Sequence, residues 1–288
     1  MVDGARAARQ MWTLLEPVHA VTYFTAEARE TFERNGLRGF WRGYFAGRAA
    51  PLGAVGPGVV TAVFYTFAPR MVRRALPDVW ERAAPPVALV ARLEGAAAAL
   101  RRRMPADPAP VVELLERAAA GLDCAGRVLG AANAELPAAA DPYERLWQLT
   151  TLFREHRGDG HYATVLAAGL DGCETLAWRA SLDLDRTVLQ QSRGWTDEEW
   201  DAADRRLMDR GWLDRDGAAT EEARQAQVAV EEATDRAAAH PWQALPAADL
   251  ARLVELLVPL AAAVDLPQPN PIGLPNVGTV AAAEGART

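Results

Sequence analysis

The chain has 288 residues, half of them apolar, and a formal net charge of −7. That is enough apolar material for one large core or two ordinary ones, and the acidic balance excludes general affinity for nucleic acid, which rests on neutralising phosphates. Its two cysteines, Cys124 and Cys173, are too far apart for a CxxC pair, so they imply buried thiols rather than a disulfide framework or a thiolate metal site. Every one of the 31 cationic residues is arginine, a coding bias that carries no mechanism. No stretch reads as a signal peptide or as a run of about 18 apolar residues, so the expectation is a cytoplasmic protein with no membrane partner.

In chain order, residues 1–15 read as a lead-in. His19 to Asn35 carries Val21, Phe24, Ala28 and Phe32 at spacings of three and four, which predicts a helix stopped by Asn35-Gly36. Phe40 to Ala50 is a second helix, bounded by Gly39 and by Pro51-Leu52-Gly53. Val59 to Phe67 reads as a third, although its Val, Thr, Phe and Tyr content also suits a strand. Val72 to Arg82, Val87 to Arg103 and Val111 to Ala132 continue the helical texture, and Asn133 to Asp141 is a junction. Beyond it, Leu170 to Leu182 is helical. Thr196-Asp197-Glu198-Glu199 then forms a capping box in front of Trp200, Ala203, Leu207 and Met208. Residues 268–288, rich in Pro, Gly and Ala, read as a flexible tail.

Order-preserving matches suggest an internal duplication. Arg38-Gly39 and Gly53 return as Arg157-Gly158 and Gly172 at an offset of 119 (157−38 and 172−53), and Val112 to Leu115 returns as Val254 to Leu257 at an offset of 142 (254−112). The fold class expected is therefore mainly α, with residues 16–137 as a first, degenerate winged-helix-like repeat and 138–267 as a second repeat with a short β-wing.

Arg210-Gly211, the apolar Trp212-Leu213, the Asp216-Gly217 turn and a Thr220-capped helix resemble the recognition helix and wing of MarR-type winged-helix proteins. As a whole, EPVHAVTYF, RGFWRGYFAGRAAPLG, EHRGDGHYA and RGWTDEEW resemble a family of duplicated helix-turn-helix proteins with a MarR-like second half. The resemblance implies that fold and names no activity. A reading helix presents Arg, Lys, Asn, Gln or Ser to bases and phosphates. Here that half carries Asp197, Glu198, Glu199, Asp201 and Asp204, so DNA readout is disfavoured.

Two segments concentrate chemistry. His19 and Tyr23, with Trp41, Tyr44, Phe45 and Arg48, offer aromatic area and polar tips of the kind that surrounds an organic ligand, or a packed aromatic core rimmed by arginine. His156, Arg157, Asp159 and His161 lie close together, with Gly158 and Gly160 permitting close approach; His161 is expected at a helix start, facing anions, or in a polar interhelix turn. His161, His19 and Tyr23 are the catalytic candidates. Trp41, Tyr44, Phe45, Arg48, Arg157, Asp159 and His156 are the ligand-binding candidates. Glu16-x-x-His19 has a di-iron spacing, but its second copy is missing and Pro17 suits a helix start, so no metal is expected. Neither GxSxG, Walker A nor GxGxxG is present, and no cofactor is expected.

The function expected is binding of a small aromatic or apolar organic molecule in the cleft between repeats, by a monomer or homodimer, with cofactor-free acid-base turnover left open. The rival is a MarR-like, ligand-responsive regulator that binds DNA.

Overall fold

A computed structural model describes residues 3–104 and 106–264, and the predicted tail lies outside the described residues. The first helix, α1 (Gly4–Phe24), starts inside the expected lead-in, capped by the Asp3 carboxylate on the Arg6 amide. Ala7, Ala8, Met11, Leu14, Leu15 and Val18 form a stripe of helical period, and all are buried. An amphipathic register that packs on a core overrides the weak local signal. Pro17 thus stands inside the helix rather than at its start, a cost of roughly 3 kcal/mol that burial on both sides offsets.

Helix α2 (Ala26–Arg34) is separate from α1 because Thr25 adopts an extended conformation; its hydroxyl donates to the Val21 carbonyl and accepts from the Ala28 amide. Then come α3 (Phe40–Ala49), a short 3-10 turn, α4 (Pro57–Val63), α5 (Pro69–Ala75), α6 (Asp78–Arg82) and α7 (Pro85–Arg103). The ambiguous apolar segment is helical to Val63 and irregular from Phe64 to Ala68. The stretch predicted as one helix over Val72 to Arg82 breaks at Leu76-Pro77, where the ring denies the helix a donor. Likewise α8 (Ala109–Ala119) and α9 (Val128–Ala134) replace one predicted helix.

The second half opens with α10 (Pro142–Ala167), 26 residues that run unbroken through Arg157-Gly158-Asp159-Gly160. It is followed by α11 (Gly172–Leu182), α12 (Arg186–Arg193), α13 (Asp197–Asp209), α14 (Glu221–Ala237), α15 (His240–Gln243) and α16 (Ala247–Ala263). The Thr196/Glu199 capping box forms as expected. Three residues, Gly194-Trp195-Thr196, join α12 to α13, with Gly194 in the left-handed region at φ 77°; helix, short glycine turn and helix is the helix-turn-helix arrangement. The expected β-wing reduces to one bridge, Leu213 with Ala219, and no strand forms among the described residues. The intervening turn is folded on the Asp214 carboxylate, which accepts from the Asp216 and Ala218 amides at 2.9 Å each and leaves too few residues for a ladder.

Three cores result. The central one buries α1, α7, α8, α10 and α16 around Trp147 and Trp242. A second, around Phe45, Phe64 and Phe67, holds α3 to α6. The third, around Trp178, Trp200 and Leu207, holds α11 to α14. No single helix is long and apolar enough to cross a membrane.

The landmarks matched at offset 119 do not share local structure. Arg38-Gly39 lies in a loop with Gly39 at φ 84°, whereas Arg157-Gly158 is mid-helix. Gly172 opens α11 and is required for a different reason: a Cβ there would overlap the Tyr65 backbone carbonyl. Gly172→Ala is therefore expected to cost about 1–3 kcal/mol, read as a lowered chemical-denaturation midpoint. An unchanged midpoint would contradict this docking of the two halves.

Candidate functional site

Helices α1, α10, α11, α12 and α14 enclose a cavity of about 200 Å³. Its apolar wall is Trp12, Tyr162, Leu176, Leu184 and Leu189; its polar wall includes Arg154, Arg157, Arg179 and Arg193, with Glu16, Glu231 and His161. A cavity of about 150 Å³ holds benzene, so this one has room for a single ring bearing a substituent.

The arginines are held in a ladder of charge. Glu155 accepts two bonds from Arg48, at 2.8 and 3.0 Å, and one from Arg154 at 2.7 Å; Arg154 also meets Glu16 at 3.3 Å. Arg157 pairs with Asp235 at 2.8 Å and lies 3.6 Å from Glu231, and Arg9 meets the same two carboxylates at 2.9 and 2.5 Å. Arg179 pairs with Asp183 at the rim at 3.0 Å. Arg193 ends α12 with its guanidinium 4.7 Å from the Phe67 ring centre. Arg154, Arg157, Arg179 and Arg193 thus stand in the cavity wall beside Glu16 and Glu231. Burial alone would raise the Glu155 carboxyl, and Arg154 and Arg48 overcome it to hold the group well below the usual carboxylate range.

The predicted site residues divide. Arg157 and His161 line the cavity, but His161 sits deep in α10 rather than at a helix start, its Nδ1 3.1 Å from Thr234 Oγ1. His156 is a packing residue: its Nε2 lies 3.1 Å from the Asp123 carbonyl. Asp159 accepts from the Gly130 amide at 2.8 Å and so caps the start of α9.

His19, Tyr23, Tyr44 and Arg48 meet in a separate pocket between α1, α3 and α10 that retains only about 10 Å³. His19 is pinned between Thr151 (2.9 Å), the Tyr23 hydroxyl (3.0 Å) and the face of Trp147. Phe45 is fully buried against Phe64 and Phe67, and Trp41 packs on Phe45 and Phe67, so both belong to the aromatic core. Trp12, Arg154, Tyr162 and Arg193 lie outside the predicted set. Their signal was a charged or amphipathic residue at a buried register, as in Leu189 and Arg193 at i, i+4.

Burial lowers the His161 and His156 rings to about 4, and that of His19 well below its ordinary value. The folded chain refuses protons that the unfolded chain takes up near pH 6.5. Stability is therefore full above pH 6.5 and falls as the pH drops toward 4, by up to about 1.4 kcal/mol per unit for each ring. A melting temperature that stayed level from pH 7.5 to 5 would contradict these assignments.

The helix-turn-helix element faces a different environment. Asp197, Glu198 and Asp201 are exposed on α13. Arg206, a candidate phosphate contact, is engaged with Asp171 and Glu174 at 2.6 Å each. First-half residues cover the turn: the Ala68 amide donates to the Arg193 carbonyl and Trp195 Nε1 donates to the Thr66 carbonyl, both at 2.9 Å. Arg70 bonds Glu199 at 2.6 and 2.7 Å over the start of α13. No curated protein and no solved structure matches the chain. A family model described as a helix-turn-helix family matches residues 8–266, and the chain belongs to that family.

Proposed function

We propose that this helix-turn-helix protein binds one small organic anion in the cavity between α1, α10, α11, α12 and α14. The observation that carries the reading is the lining: apolar walls around Trp12 and Tyr162, and four arginines against Glu16 and Glu231. A low-dielectric site lined by four guanidinium groups and aromatic walls suits a carboxylate head and an apolar body. His161, neutral at pH 7 and bonded to Thr234, is a positioning hydrogen-bond partner for the ligand, and the proposal includes no turnover.

The regulator reading retains support from family membership, since such elements commonly enter the major groove. Two features favour the ligand reading over it. The groove-entering half of α13 is acidic, with its first turn held by Arg70 and the turn before it held by the Thr66 and Ala68 backbone.

The MarR-like duplication is supported by reciprocal packing rather than by the short matches. Helix α1 packs on α14 as α10 packs on α7, and α1 packs on α16 as α10 packs on α8. The Val112 and Val254 matches fall on α8 and α16, which also touch.

A thermal-shift screen of the full chain with single-ring and short-chain organic acids, run beside random-sequence duplex DNA, tests the proposal. Stabilisation by an acid, with no DNA complex at physiological salt, is the expected result. A salt-sensitive DNA complex without any acid effect would establish the regulator instead.

A further inference from the structure

The reciprocal packing carries one consequence about where the chain does not bind ligand. It pairs α1 with α10 and α7 with α14, and chain order between those pairs sets α2 opposite α11 and α3 opposite α12. The cavity walls on α10, α11, α12 and α14 then correspond to α1, α2, α3 and α7, and those four helices, with α10, line the closed pocket around His19. In the first half, α2 and α3 pack directly on α7. In the second, the cavity lies between α11, α12 and α14.

The closing group is a single ring. Phe32 of α2 lies against Gly43 and Gly47 of α3: a Cβ on Gly43 would sit 2.9 Å from its ring and one on Gly47 2.7 Å. Gly95 lets α7 come equally close, for its Cβ would meet the Ala28 backbone at 2.7 Å. The Phe32 ring separates two residual spaces of about 10 and 20 Å³, both walled by Thr22, Tyr23, Gly43 and Tyr44. Behind it stand Arg48 and Arg92. Arg92 is buried, bonded to the neutral Gly47 carbonyl at 3.0 Å and Asn133 Oδ1 at 2.9 Å, and stacked over Trp147. Both hydrogen-bond partners are neutral, and the carboxylate that offsets its charge, Glu155 in the same pocket wall, is already bonded to Arg48 and Arg154, the arrangement of an anion-accepting pocket with an apolar side chain in the ligand's place.

We infer that the pocket around His19, Arg48 and Arg92 is a second organic-anion site, pseudo-equivalent to the open cavity and closed by the chain's own Phe32. The wild-type chain therefore binds one ligand, and removing the Phe32 ring restores a second site. This rests on the proposed ligand reading for the first molecule only.

The test is the number of benzoate molecules bound per full-length chain, by calorimetric titration and native mass spectrometry, for wild type, Phe32→Ala and Phe45→Ala. Phe45 is equally buried but outside the pocket. One benzoate in wild type, two in Phe32→Ala and no gain in Phe45→Ala is the expected result. None in wild type and one in Phe32→Ala would support the closed site while overturning the open one. A folded Phe32→Ala chain with no added benzoate overturns the inference, as does an equal gain in Phe45→Ala. If Phe32→Ala does not fold, Phe32→Leu, which vacates part of the ring's space, is read by the same criteria.

Discussion

Replacing Glu155 with leucine is expected to destabilise the protein by about 3–5 kcal/mol, the cost of stranding buried charge. Glu155 is 1% exposed, and it alone receives both Arg48, itself 3% exposed, and the Arg154 Nη1. Without it, among the described residues Arg48 keeps the Tyr44 hydroxyl at 3.3 Å and the face of Phe64, and Arg154 keeps Glu16. For a chain of this size the loss corresponds to a fall in melting temperature on the order of 10 °C. A second substitution, Arg48→Leu, should recover much of it, because removing both members of a buried pair is often close to neutral. The double-mutant cycle in chemical denaturation reads the coupling directly. If Glu155→Leu cost less than about 1 kcal/mol, the ladder would not be the spine that joins α3 to α10.

The second large effect is on ligand affinity. Arg193→Met keeps side-chain length and apolar contact with Phe67 while deleting a cation from the cavity wall. A hydrogen bond to a charged group contributes about 1.5–3 kcal/mol, so an acid that binds wild type should bind the variant roughly 10- to 150-fold more weakly. Arg193 is also the last residue of α12, and its carbonyl receives the Ala68 amide that docks the first half on the helix-turn-helix turn. Affinity measured by calorimetry, with the melting temperature of the free variant as a control, separates ligand recognition from that docking. Equal affinities would remove Arg193 from the site.

The parts of the fold written in local chemistry were legible. The Thr196/Glu199 box, the Thr220 cap and the glycine-bounded α3 are short-range devices and stand where the sequence put them. What failed depended on tertiary context. Gly158 and Gly160 read as a turn, yet α10 runs through them because neighbours need the room: the Arg127 guanidinium lies where a Gly160 Cβ would be. Met11 and Leu14 looked like a lead-in until six other helices packed against α1 and supplied a core for it to face. For the site, composition pointed to aromatics with arginine, and the structure divides that set between the closed pocket (Tyr23, Tyr44, Arg48), the open cavity (Arg157, His161) and the aromatic core (Trp41, Phe45). Arg48 and Glu155 are 107 residues apart, and no spacing rule joins them.

On the proposed reading, the open cavity recognises a negative charge on a small ring. The direct measurement is isothermal titration of the full chain at pH 7 with benzoate and, in parallel, with benzamide, which has nearly the same shape without the charge. Saturable binding of benzoate at one molecule per chain, at least tenfold tighter than benzamide, is the predicted result. Equal binding of the two, or binding of neither, would contradict it.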